Sequence, residues 1–238
     1  MIAIVTTDFP ELTTSLCGRL RLCEHRAYGL TFYIAEICGS RVMLANVGDT
    51  KVASAVNLSK LLSCHRPAAV IAAGNLAGVS GAATGTVVIA SDSVQFDVDF
   101  SKLGYSWGEI PALNKTYFQA DPNLVALAKC AGAALSAQYV TGRVVTGDRF
   151  IADTVKANDL ASTRSATGVD AETAALAECA YMYGVPFVSV KAVSNSGGDN
   201  AVGEYAANRL AADSVSLDFA LKMACVAADG RCLCGVNP

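Results

Sequence analysis

Two hydrophobic patterns alternate along the chain. Short apolar runs edged by small or polar residues recur as MIAIV, AAVIAAG ending at Gly74, TVVIASDSV, QYVTGRVVTG and VPFVSVKAVSN. Runs of this kind predict strands, and those apolar throughout predict strands buried on both faces. LTFYIAEIC and RVMLANV predict a strand pair turned by Gly39 and Ser40. Helical spacing appears in ELTTSLCGRL, KVASAVNLSKLLSC, NLVALAKCAGAAL and ETAALAECAYMYG, the last stopped by Gly184, and in a final helix from Ala201 to about Ala227. Another strand hands over to a helix at VDAETAAL. No linker, repeat or low-complexity tract interrupts the series. The alternation predicts one α/β domain over residues 1–238, a three-layer α/β/α sandwich around a mixed, mostly parallel sheet.

In such sheets ligands lie beyond the C-terminal ends of the strands. That directs attention to Gly48–Lys51, Gly74–Gly78, Gly147–Ile151, Val169–Glu172 and Ser194–Asn195. Gly74, Asn75, Asp170 and Ser194 become candidate substrate-binding residues on this ground.

Composition narrows the classes. The chain is 53% hydrophobic and 16% charged, with a mean hydropathy of +0.39, so it can bury a large core and some of its helices. Its longest apolar runs fall well short of the roughly 20 residues that span a bilayer, and no membrane association is expected. Met1 leads straight into IAIV without a basic segment, so no secretory signal and a cytoplasmic location are expected. A net charge of −3 with no basic stripe argues against nucleic acid. Nine cysteines, an odd count mostly in apolar surroundings, predict reduced buried thiols. Cys232 and Cys234 offer two ligands without a nearby His, so no metal site is expected.

Several chemistries drop out. The glycines of GVSGAATG precede a strand, match no phosphate-binding loop, and imply no nucleotide cofactor. His25 and His65, the only histidines, fall in connecting segments among Cys and Arg, and GDRF lacks the spacing of a serine elbow. A carboxylate-based site is left. Glu11 follows the first strand, and Glu172 stands where a strand enters an apolar helix. Each is also placed to meet a helix dipole from the first turn. The small apolar neighbours of Glu172 favour burial, and a buried carboxylate needs a partner or a task.

At this point the residues resemble a known family over nearly the whole chain. NVGDTKVASAV, HRPAAVIAAGNLAG, FDVDFSKLGYSWGEIPAL, VTGDRFI and VDAETAALAECAYMYGVPFVSVKAVSN are similar to the successive motifs of 5′-methylthioadenosine/S-adenosylhomocysteine nucleosidases, of nucleoside phosphorylase-like fold. The last two correspond to "SGD.FI" and "VEMEAAA…VPF..VRAISD". The resemblance implies hydrolysis of the N-glycosidic bond between adenine and a 5′-thio-substituted ribose, without a cofactor, by a homodimer. It implies that Glu11 activates water and that Glu172 binds the ribose hydroxyls and stabilises the cationic sugar. Phe150 would stack on the purine and the Ile151 backbone would meet the base edge. Tyr205 would lie over the 5′ group, with Phe100, Leu103 and Pro111 forming an apolar pocket shared with the dimer partner. No Arg at the early positions suits phosphate, so hydrolysis is expected over phosphorolysis.

The chain departs from the family pattern at three positions. Asn195 stands where the family has an Asp that protonates purine N7, Ala171 replaces a Met that lines the ribose, and Asp49 takes the place of an apolar residue of the 5′ pocket. An amide donates a hydrogen bond but cannot transfer a proton. Three readings of Asn195 stand: an inactivated nucleoside-binding variant, a nucleosidase for 6-oxopurines such as futalosine, or slow cleavage of adenine nucleosides. Asp49 and Ala171 together favour a larger or more polar 5′ substituent, unless Asp49 faces solvent.

Overall fold

The computed structural model describes residues 1–7, 16 and 20–230. The expected helix ELTTSLCGRL falls mostly outside these residues, and so does Glu11. The strands are β1 (Ile2–Thr6), β2 (Cys23–Ala27), β3 (Leu30–Ile37), β4 (Ser40–Asn46), β5 (Ala69–Ala72), β6 (Asn75–Gly78), β7 (Val87–Gln95), β8 (Phe118–Gln119), β9 (Tyr139–Thr146), β10 (Ala166–Asp170) and β11 (Phe187–Asn195). The helices are α1 (Lys51–Cys64), α2 (Pro122–Leu135), α3 (Thr154–Arg164), α4 (Thr173–Tyr183) and α5 (Ala201–Asp229).

The strands form one 11-stranded sheet in the order β2-β3-β4-β1-β5-β11-β6-β10-β9-β7-β8. Parallel pairing joins β4, β1, β5, β11 and β6, and also β10, β9 and β7. The hairpins at the β2–β4 edge and the β6–β10 pair are antiparallel, so the sheet is mixed as the sequence predicts. In the central strands alternate residues feed opposite layers. Ala3, Val5, Val70 and Ala72 pack under α1 and α4, with Leu58, Leu61, Leu176 and Ala180. Ile4, Ile71, Val188 and Val190 pack under α2 and α5, with Ala128, Phe219 and Met223. Burial on both faces explains why these strands read as unbroken apolar runs.

β11 holds the molecule together and positions the site. Its first residues pair with β5, at Phe187 opposite Val70. Its later residues pair with β6 on one side and antiparallel to β7 on the other. Because β7 also pairs with β9, and β9 with β10, the far half of the sheet curls back onto β11. Every residue of β11 is buried. A register shift between Val193 and Asn195 breaks the alternation at its end, and such bulges re-aim side chains next to functional sites.

Local differences from the sequence expectation have simple causes. The β3–β4 turn is centred on Cys38 and Gly39, both at positive φ (48° and 76°), rather than on Gly39 and Ser40. His25 lies within edge strand β2, not in a connection; its CEHRA sequence is exposed and lacks the apolar alternation that marks a strand. α3, with few apolar residues, gave no helical signal either. Among the described residues no helix is long and apolar enough to cross a membrane.

The cysteine expectation is overturned. Cys38, at the β3–β4 turn, is disulfide-bonded to Cys225 on α5, 187 residues away, and Cys130 is also disulfide-bonded. Cys23, Cys64 and Cys179 are free. Counting cysteines cannot find a pair so distant in sequence and brought together only by the last helix. Cystines persist in oxidising surroundings, so thiol count no longer argues for a cytoplasmic setting. Cys38→Ser and Cys225→Ser are each expected to lower unfolding free energy by about 2–4 kcal/mol in non-reducing urea titrations. The double variant should lose no more than either single one; additive losses would mean that the two sulfurs act separately.

Candidate active site

A cavity of about 320 Å³ opens at the C-terminal ends of the strands, and its walls include Asp49, Asn75, Phe150, Ile151, Asp170, Ala171, Glu172, Asn195 and Tyr205. That volume suits a small ligand. The structure thus brings together most of the residues expected from the sequence. Gly74 and Ser194 lie just behind the wall: the Gly74 amide donates to Ser216 Oγ (2.8 Å), and Ser194 contacts Asn75 and Asn195. Phe100, Leu103 and Pro111 do not line the cavity; Phe100 and Leu103 are exposed. Thr50, Leu76, Ala77, Asp148, Arg149 and Val169, all within the strand-end segments singled out from the sequence, also line it, as does Thr7, which lies outside them.

The junction between β10 and α4 decides what Glu172 can do. Asp170 caps the helix, accepting from the Thr173 amide (3.2 Å) and hydroxyl. Thr146 Oγ1 also donates to Asp170, at 2.6 Å, and accepts from the Ala174 amide at 2.9 Å. With the cap supplied by Asp170, the Glu172 side chain makes no capping bond. It turns to the Lys191 ammonium instead. The dipole reading of Glu172 therefore transfers to Asp170.

Lys191 is the residue that sequence reasoning missed. It projects from the middle of β11 with 1% of its side chain exposed, and its ammonium also donates to Asp170 Oδ2 at 2.6 Å. The signal was present: a lysine inside the apolar run VPFVSVKAV must find an anionic partner if it is buried. Burial works against its charge, but Asp170 and Glu172 outweigh that and hold the ammonium above the ordinary lysine value.

Burial, helped by the Asp170 and Asp49 carboxylates, outweighs the pull of Lys191 and holds the Glu172 carboxyl up at about 7. Because this lies above the ordinary value of 4.5, the folded chain holds the proton more tightly than the unfolded one. The associated stability is fully present below about pH 4.5 and is lost as pH rises through about 7. Ionised Glu172 is the form that can stabilise positive charge. The acid limb of a kcat/KM profile is therefore expected near pH 7, and Glu172→Gln should abolish that limb along with most of the rate. A limb unchanged in that variant would assign it to another group.

Also in the cavity wall, a chain of hydrogen bonds fixes the Asn195 amide. Asn75 Nδ2 donates to Asp213 Oδ1 (2.8 Å). Ser194 Oγ donates to Asn75 Oδ1 (3.1 Å), so it accepts from Asn195 Nδ2 (3.0 Å). Asn195 Oδ1 in turn accepts from the Gly197 amide (3.0 Å). Gly197 sits at φ 69° against Val79 and Ala157, a conformation that suits glycine. With both its polarity and its orientation set, Asn195 keeps one N–H and one lone pair for other partners. Phe150 meets Tyr205 edge-on at 5.4 Å, and Phe150 is half-exposed. Among the described residues no cluster of His, Cys, Asp and Glu is arranged to hold a metal ion.

The sequence matches the phosphorylase superfamily over residues 4–223. It is 33% identical over 180 residues to the 5′-methylthioadenosine/S-adenosylhomocysteine nucleosidase of Actinobacillus succinogenes, covering 75% of this chain and 78% of that one. The chain belongs to this nucleosidase family within the phosphorylase superfamily. The nucleosidase of the same name from Geobacillus kaustophilus is 32% identical over 205 residues, covering 84% of this chain and 87% of its own. The fold is also that of the Neisseria meningitidis nucleosidase crystallised with methylthio-immucillin-A. That structure superposes with a TM-score of 0.88 at 26% identity, over 94% of this chain and 98% of that one. Membership of the nucleosidase family agrees with a cavity walled by one acidic cluster and one fixed amide.

Proposed function

We propose that this chain is a purine nucleosidase, hydrolysing the N-glycosidic bond of 5′-methylthioadenosine/S-adenosylhomocysteine-type nucleosides. The observation that carries the reading is one cavity lined by both Glu172 and Asp170, buried and bridged by Lys191, and by the oriented Asn195 amide. Cleavage breaks the bond between the sugar C1′ and the purine N9, water adds its oxygen to C1′, and the purine leaves with a proton. The sugar becomes cationic on the way, and a carboxylate held close to it in a dry site stabilises that charge. Glu172 fills this role and binds the ribose hydroxyls, with Ala171 leaving room beside it. Glu11, outside the described residues, takes the proton of the attacking water.

On the purine side, Phe150 stacks on the base, the Ile151 backbone meets its edge and Asn195 bonds to N7. Asn75 and Ser194 hold Asn195 in place, and Gly74 takes a backbone φ of 146° beside the Lys191 stem, a conformation that suits glycine. Tyr205 covers the 5′ group. Phe100, Leu103 and Pro111 lie outside their own cavity and serve the partner's 5′ pocket in a homodimer. Exposed Phe100 and Leu103 support that placement, since exposed apolar side chains gain when a second subunit covers them.

Asn195 favours a second reading, a nucleosidase for 6-oxopurines. Once N7 of such a base carries a proton, an amide accepts from N7–H while donating to O6, a pair of bonds completed only as the base leaves. Release of free base from methylthioadenosine, adenosylhomocysteine, inosine and futalosine tests both readings. Adenine from the first two supports the main reading, hypoxanthine from inosine or futalosine the second, and no base from any of them overturns both.

A further inference from the structure

The hydrogen-bond relay behind Asn195 begins outside the cavity, on α5. Asp213 and Ser216 stand one turn apart on the inner face of that helix, and both are fully buried. Ser216 Oγ donates to the Val190 carbonyl (2.6 Å) and accepts from the Gly74 amide (2.8 Å), so α5 grips β11 and the β5–β6 junction together. Asn208, on the same helix, donates from Nδ2 to the Ser194 carbonyl (3.3 Å). The backbones flanking the relay are therefore held against α5, and the direction of its side-chain hydrogen bonds is left to Asp213. A carboxylate accepts and cannot donate. Asn75 accordingly turns Nδ2 to Asp213 Oδ1 (2.8 Å) and offers Oδ1 to the Ser194 hydroxyl (3.1 Å). The Leu76 carbonyl, another acceptor for that hydroxyl (3.3 Å), also draws the proton away from residue 195. Ser194 Oγ is left to accept from position 195, and the Asn195 amide supplies the donor at 3.0 Å.

A carboxyl at position 195 meets the same demand. Its proton satisfies Ser194 only by pointing into the relay. Turned to a purine instead, that proton obliges Ser194 to donate to the carboxyl, and Asn75 Oδ1 loses its donor. Rotating the Asn75 amide does not repair this, because its oxygen then faces the Asp213 carboxylate. Taking the nucleosidase reading as given, we propose that Asp213, which does not line the cavity, is a positioning residue that commits position 195 to an amide. It acts through Asn75 and Ser194, and biases the site against a general acid and toward bases that an amide can read.

A double-mutant cycle tests this, because any other bond that Asp213 makes cancels between the two backgrounds. In Asp213→Asn the new amide can donate to Asn75 Oδ1, so Asn75 and Ser194 both reverse and free the proton of a carboxyl at position 195. Adenine dissociation constants by calorimetry, and base release from methylthioadenosine, would be measured for the full chain, Asn195→Asp, Asp213→Asn and the double variant. Asn195→Asp should tighten adenine binding about fivefold more in the Asp213→Asn background than in the parent, the worth of one hydrogen bond. The gain in kcat/KM should be enlarged by the same factor. The cycle repeated with 7-deazaadenine, which has no N7 to receive the proton, should show no coupling; equal coupling there would trace the effect to packing and overturn the proposal. Asn75→Ala, which cuts the relay midway, should enlarge the effect of Asn195→Asp in the same sense, and it serves also where Asp213→Asn does not fold. Coupling below about twofold in both backgrounds overturns the proposal. Coupling in adenine affinity without base release by any variant supports it and defeats the nucleosidase reading alone.

Discussion

Asn195→Asp is expected to raise kcat/KM for adenine nucleosides by about 10²–10⁴-fold, the usual contribution of a positioned general acid. The amide now in place can bond to N7 but has no proton to give. The new carboxyl would sit where Asn195 is 3% exposed, and desolvation there favours its protonated form at neutral pH, the form a general acid needs. The exchange has a local cost. Ser194 Oγ now accepts from Asn195 Nδ2 and donates to Asn75 Oδ1; facing a carboxyl whose proton is turned to the purine it must donate to residue 195, and Asn75 loses a donor. That is a loss of about 1 kcal/mol, small against the gain in rate. The Gly197 amide bond persists, since it needs only an acceptor. Steady-state base release from methylthioadenosine by both proteins decides the matter. A gain below tenfold would show that Asn195 is not what limits adenine cleavage. A simultaneous fall on inosine would mark the amide as a device for reading 6-oxopurines.

Lys191→Met is the second large effect. Lys191 bridges Asp170 and Glu172, with side-chain exposures of 1%, 3% and 7%. Met keeps the stem and removes the charge, leaving two buried carboxylates side by side. Removing one partner of a buried ion cluster costs about 3–5 kcal/mol, to be read from urea midpoints at pH 7. The pH dependence gives the sign. Without the ammonium, Glu172 holds its proton still more tightly in the folded state, so the variant should recover stability relative to the parent as pH falls toward 5 and lose it as pH rises. Turnover should fall by about 10²–10³-fold, because Glu172 at neutral pH would be protonated and unable to stabilise a cationic sugar. Equal stability of the two proteins from pH 5 to 8 would show that the cluster does not depend on its cation.

Much of this arrangement was readable from the chain. The runs KVASAVNLSKLLSC and VPFVSVKAVSN mark α1 and β11 closely because both are decided by local hydrophobic pattern. β6 was hidden because Asn75–Gly78 follows Gly74 directly and looks like the tail of β5. Edge strand β2 and helix α3 were hidden because neither buries enough apolar surface to leave a period. Glu172 was legible as a buried acid, but its orientation was not. That depends on Asp170 capping α4 and on Lys191 arriving from β11, contacts made between distant segments. The Cys38–Cys225 link was unreadable for the same reason.

The bulge at the end of β11 separates inheritance from innovation. Upstream of it, every residue from Phe187 to Val193 is held in register by β5, β7 or β6, and a change there disturbs buried packing. Past Val193 that register shifts, and the Asn195 side chain meets a serine hydroxyl and one backbone amide, partners that a carboxyl can also meet at the cost of one bond to Asn75. One base change in the gene's codon for this residue can therefore alter which purine departs readily while the scaffold stays as it is, making position 195 a place where descendants of a single fold could part company over substrate.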